Sequence, residues 1–166
     1  MTTIAYKDGV MAADSGVWDN GRLVTEAVKI IRLRSGGLFG AAGDSDHRGI
    51  VKLVGGIRSP ARLPSKKDLE ETREEVNAIL VLPGGEVFAV FNALEGMSGN
   101  HSEWRGGIEC IHEGMYAVGS GGDIAMGALA VGASLVEAVW AACRYDCYTR
   151  PPVRSVGLHE SEEDEE

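Results

Sequence analysis

Three tight turns decide most of what this chain can become. Asp8-Gly9 separates TTIAYK from VMAAD, Arg34-Ser35-Gly36-Gly37 separates LVTEAVKIIRL from LFGAAG, and Pro83-Gly84-Gly85 separates AILVL from EVFAVF. Asp-Gly tolerates the positive φ that a two-residue hairpin requires, and the glycine groups punctuate the other two pairs. Each pair therefore reads as two antiparallel strands, with Asp14 closing the second strand of the first pair. Helical stretches fall between these hairpins. Asp44 or Ser45 can cap a short helix running to about Val54, GGIRSPARLPS reads as loop, and KKDLEETREEVNAI has helical character with a charged face. MSGNHSEWRGG is polar and loop-like, whereas MYAVGS reads as a strand entering a glycine turn. Residues 123–145 are apolar and rich in Ala and Gly, long enough for two helices broken near Gly132-Ala133-Ser134, and RSVGLHE reads as a last strand. Strands, helices, strands and helices in that order predict an α+β fold layered around antiparallel sheets.

At 166 residues the chain fits one domain, expected over residues 1–159. No uninterrupted apolar run reaches the roughly 18 residues of a membrane span, and no basic segment followed by an apolar stretch opens the chain. The expectation is a soluble, cytoplasmic protein with no membrane partner. Part of the formal charge of −9 sits in ESEEDEE (160–166), which reads as a solvated, disordered tail. The mildly acidic remainder lacks the basic face that phosphate contacts need, so nucleic acid is not an expected partner. Cys110, Cys143 and Cys147 are odd in number and lack zinc-like spacing, so they read as reduced, buried thiols. His47, His101, His112 and His159 are scattered, and no metal site is expected.

Two threonines follow Met1. Met1 is usually removed before a small second residue, which would leave Thr2 with a free amine and a hydroxyl on one residue. A hydroxyl is a poor nucleophile until a base takes its proton, and an α-amine with a reference pKa of roughly 7.7–8.0 can be that base. Taken alone, Met-Thr is a common start and Thr suits a strand. In order along the chain, however, TTIAY, GVMAADSG, VKIIRL, FGAAGD, YAVGSGGD and AACRYDCYT resemble the N-terminal-nucleophile hydrolases of the proteasome β-subunit type, and the HslV-like peptidases in particular. The resemblance covers most of the chain and is weakest between Val54 and Ala78, where that family usually places longer helices.

The resemblance implies a four-layer αββα sandwich of two antiparallel sheets flanked by helices, and a threonine peptidase without metal or organic cofactor. Thr2 would be the nucleophile. Lys29, a cation within an otherwise apolar strand, would depress the pKa of the amine, and Asp14 would balance and orient both charges. The Gly43 N–H would donate to the oxyanion, Ser120 would support the amine, and Asp146 and Thr149 would add a carboxylate and a hydroxyl, Thr149 standing where the family more often has Ser. Each also has a plainer reading: Asp14 as a turn residue, Lys29 as a surface lysine, Gly43 and Ser120 as parts of glycine turns, Asp146 and Thr149 as a helix end. Peptide or unfolded-protein substrates, ring-like homo-oligomers and an ATP-dependent unfoldase partner follow from the resemblance. Its alternatives are a small-molecule amidase or acylase of the same fold and a catalytically inactive assembly protein.

Overall fold

The N-terminal hairpin forms as its turn predicts. In the computed structural model, which describes residues 2–43, 47–97 and 101–160, β1 (Thr3–Lys7) pairs antiparallel with β2 (Val10–Ala13), Ile4 opposite Ala13 and Lys7 opposite Val10. β10 (Met115–Gly119) lies on the other side of β1 and β11 (Arg154–Gly157) on the other side of β2. The five-stranded second sheet runs in the order β5 (Ile30–Arg32), β6 (Leu38–Gly43), β7 (Val76–Val81), β8 (Val87–Met97), β9 (His101–Ile111), with every pair antiparallel. A separate two-stranded ribbon pairs β3 (Gly16–Asp19) with β4 (Arg22–Glu26). The helices are α1 (Arg48–Val54), α2 (Lys66–Thr72), α3 (Gly122–Ala130) and α4 (Leu135–Tyr145). Among the described residues no helix is long and apolar enough to cross a membrane.

Alternation along the strands sorts the apolar side chains into three clusters. Ile4, Met11, Ile79 and Val81 meet in a cluster shared by the two large sheets. Ala5 and Ala12, on the other face of the first sheet, pack against Ala125, Leu129, Ala138 and Val139 of α3 and α4. The small residues let those helices lie close to the strands. Ala78, Leu80 and Phe39 turn to a third cluster with Ile50 and Val54 of α1 and Leu69 of α2. The inner strands β6 and β7 and the start of β8 are thus covered on both faces, which explains their nearly continuous apolar sequence.

Several boundaries differ from the sequence reading. LVTEAVKIIRL is not one strand: it divides into β4 and β5, with residues 27–29 between them. The stretch 97–107 is not a loop, since Met97 ends β8 and His101–Gly107 belong to β9, residues 98–100 lying outside the described residues. β9 is an edge strand, so it keeps polar side chains in solvent, and Arg105 Nε reaches Glu95 Oε2 across the pair at 2.9 Å. The helix expected over residues 66–79 stops at Thr72, because Arg73 turns left-handed at φ 54° and β7 begins at Val76. Ser65 and Asp68 cap its start reciprocally. The capping positions proposed at Asp44 and Ser45 lie outside the described residues, as does the acidic tail beyond Glu160. The thiols are free but not buried as a group: Cys110 and Cys147 are exposed and Cys143 is partly covered.

Candidate active site

Asp14 follows β2 directly and is fully used. Its Oδ1 accepts from Lys29 Nζ and from the Thr3 backbone N–H, both at 2.9 Å, and its Oδ2 accepts from the N–H groups of Gly16 at 3.2 Å and Arg150 at 3.0 Å. The ion pair is buried, with side-chain exposures of 8% for Lys29 and 0% for Asp14. Lys29 is not inside a strand, as expected, but immediately precedes β5. The Ala27 N–H donates to Ser15 O at 2.9 Å, which ties this connection to the segment after Asp14. Burial lowers the Lys29 pKa below 10.5, while its hydrogen bond to Asp14 and the carboxylate charge oppose that shift.

A second polar chain approaches from α4. Asp146 ends that helix, and its Oδ2 accepts from Ser120 Oγ at 2.7 Å and from Thr149 Oγ1 through a short hydrogen bond. Thr149 Oγ1 lies 2.7 Å from Thr3 Oγ1. Thr2, Thr3 and Thr149 are all buried. The Asp14–Lys29 pair and the Ser120–Asp146–Thr149 chain therefore converge on Thr3, the neighbour of Thr2.

Glycines make that convergence possible. Gly119 has φ 94°, and a Cβ built there would lie 1.7 Å from the Thr2 carbonyl oxygen. Only glycine admits both the left-handed backbone and the close approach. A Cβ on Gly121 would lie 2.3 Å from Thr3 Oγ1 and 3.0 Å from Thr149 Oγ1, so the GSGG turn is cut to fit the threonine hydroxyls.

Two clefts meet at Thr2 and Gly43. One, about 710 Å³, is lined by Val17, Ala27, Ile31, Phe39, Ala41 and Val51 and also by the basic residues Lys29, His47 and Arg48. The other, about 780 Å³, is lined by Asn77, Phe91, Asn92, Gly119 and Ser120 besides Glu75. All seven residues singled out in the sequence thus fall in one region. Sequence reasoning missed the Thr3 hydroxyl and the Arg150 N–H, which no local pattern marks. It also missed the β3–β4 ribbon, although Asn20-Gly21 is a strong hairpin signal, and that ribbon brings Val17 and Trp18 to the first cleft. Cys143 carries charge interactions with Asp14 and Lys29, and its thiol is pushed up to about 11, first by burial and then by the Asp14 carboxylate.

No protein-family model and no curated protein matches the chain. Among solved structures it resembles Thiobacillus denitrificans BPH at 21% identity and TM-score 0.61, over 96% of this chain and 99% of that one. It likewise resembles Thiobacillus denitrificans BPH in complex with epoxomicin at 19% identity and TM-score 0.57, over 96% and 99%. At these identities the likeness shows a shared fold.

Proposed function

We propose that the chain is an N-terminal threonine peptidase, acting once Met1 is removed. The observation that carries the reading is the convergence of a buried carboxylate–lysine pair and a carboxylate–hydroxyl chain on Thr3, whose neighbour Thr2 lines one cleft with Lys29 and the other with Ser120. Unpaired, the Lys29 cation would be costly where it stands, and such charges gather where a pKa must be set. The complex of a similar fold with epoxomicin supports the same reading. The three apolar clusters support arranging the layers as an αββα sandwich, with residues 1–159 as one domain.

In the proposed reaction Thr2 Oγ1 attacks the scissile carbonyl carbon while its proton passes to the Thr2 α-amine. The positive charge of Lys29 keeps that amine neutral at lower pH than usual. The Gly43 N–H donates to the oxyanion. Collapse breaks the C–N bond, the ammonium returns its proton to the departing amine, and an ester remains on Thr2. Water, deprotonated by the same amine, then hydrolyses the ester. Because the leaving amine must receive its proton from the α-ammonium, it belongs on the side of Ser120, which supports that group. The acyl residue then faces the first cleft, whose Ile31, Phe39 and Val51 suit an apolar side chain beside its basic residues Lys29, His47 and Arg48. By the same reading the protein works in the cytoplasm as a homo-oligomer of ring type, needs no cofactor, and takes peptides or unfolded chains, an ATP-dependent unfoldase being the partner class that would supply the latter.

Fluorogenic peptides differing only in the acyl residue test this. The wild type should prefer Leu or Phe over Ala by at least about tenfold in kcat/KM, since each buried CH₂ contributes about 0.8 kcal/mol. Thr2→Ala should remove turnover of all of them, and Ala41→Phe should shift preference toward smaller residues. Equal turnover by wild type and Thr2→Ala would refute the mechanism.

A further inference from the structure

Thr3 begins β1 and lines neither cleft, yet among the described residues it is the one hydrogen-bonded to both polar systems. Its backbone N–H donates to Asp14 Oδ1 at 2.9 Å, and its hydroxyl meets the Thr149 hydroxyl at 2.7 Å. The direction of the second bond follows from proton counting. Thr149 has a single hydroxyl proton, which goes to Asp146 Oδ2. Towards Thr3 it can only accept, so the Thr3 hydroxyl is the donor. The chain runs Thr3 to Thr149 to Asp146, and Ser120 donates to the same carboxylate oxygen at 2.7 Å. Thr3 is 0% exposed and Thr149 1%, so no solvent stands in for either bond.

We infer that the Thr3 hydroxyl is a positioning residue for the Thr2 site, acting through Thr149 and Asp146 to set the proton affinity of the Thr2 amine. This rests on the peptidase reading above. A hydroxyl that itself receives a hydrogen bond is a stronger donor, so Thr3 strengthens the bond from Thr149 and spreads the charge of Asp146. Without it, more negative charge stays on Oδ2 and pulls harder on the Ser120 proton. In the peptidase reading Ser120, which lines the second cleft with Thr2, then holds the ammonium form of the Thr2 amine more tightly, which raises that amine's pKa. The other charged or titratable groups around the segment are Asp14 after β2, Lys29 before β5, His47 and Arg48 at the first cleft, Cys143 on α4, Arg150 beside Asp14, and Glu75 before β7 at the second cleft. Thr3→Val replaces none of these groups and keeps the backbone bond to Asp14.

Thr3→Val keeps the size, the β-branch and the backbone N–H to Asp14, and removes only the hydroxyl. With full-length protein from which Met1 has been removed, kcat against pH on an apolar-residue peptide should show the rising limb displaced to higher pH. At neutral pH kcat should fall about tenfold, the loss of one buried hydrogen bond in the chain, while KM stays as in wild type. Thr3→Ser should bring the limb back. A purely structural Thr3 would lower the thermal midpoint, and with it the amount of folded enzyme, without moving the limb. An unshifted limb in Thr3→Val, or a Thr3→Ser limb displaced like that of Thr3→Val, overturns the inference when wild type still forms a Thr2-dependent adduct with a peptide epoxyketone. Failure of wild type to form that adduct overturns the peptidase reading itself, and this inference with it.

Discussion

Asp14→Ala is the perturbation whose consequence is largest and most fully set by the geometry. The carboxylate accepts four hydrogen bonds, from Lys29 Nζ and the N–H groups of Thr3, Gly16 and Arg150. Its removal leaves a lysine whose side chain is 8% exposed without its counter-charge. Deleting one partner of a buried pair costs about 3–5 kcal/mol, against a total stability of about 5–15 kcal/mol for a typical domain. For a chain of this size, where each kcal/mol moves Tm by about 2–4 °C, the melting temperature should fall by roughly 6–20 °C. Adding Lys29→Met should recover about 1–2 kcal/mol, because the stranded charge is then gone and an apolar side chain fills similar space. The sign with pH is also fixed. Burial holds the folded-state pKa of Lys29 below 10.5, and without Asp14 it falls further. Between the folded and unfolded pKa values the unfolded chain binds more protons, so Asp14→Ala should gain stability as pH rises through that window. Urea unfolding and thermal melts at one protein concentration measure all three effects. A loss under about 1 kcal/mol, or a double variant no more stable than Asp14→Ala, would refute the reasoning.

Gly119→Ala should cost about 1–2 kcal/mol from the left-handed backbone alone. Because its Cβ would lie 1.7 Å from Thr2 O, it should also slow epoxyketone labelling about 100-fold, read as labelling rate on the folded protein. The pH profile of peptide hydrolysis should be bell-shaped. The rising limb reports loss of the proton from the Thr2 amine, at or below its reference value of roughly 7.7–8.0. The falling limb reports loss of the Lys29 charge, and so lies below 10.5.

The parts of this fold legible in the sequence are those set by local chemistry. Asp8-Gly9 fixes one hairpin, and Gly132 with Ser134 divides α3 from α4, where the Ser134 side chain accepts from the Glu137 N–H. The long β8–β9 pair was hidden because residues 101–107 are polar, a composition tolerated only on an edge strand paired on one side. Lys29 could not be placed by alternation because it stands outside the period-2 segment, in a connection held by backbone bonds and by Asp14. Thr3 was beyond reach for a different reason. Its partner Thr149 is 146 residues away, and nothing in either local stretch marks the pairing.

The central claim, a hydroxyl and a free amine acting together on Thr2, is tested most directly by intact-mass analysis after incubation with a peptide epoxyketone. Its ketone and epoxide are adjacent electrophiles matched to a nucleophile and an amine on one residue. The account predicts a chain lacking Met1, carrying one inhibitor mass per subunit, and no adduct on Thr2→Ala. Retention of Met1, or an adduct that persists in Thr2→Ala, would contradict it.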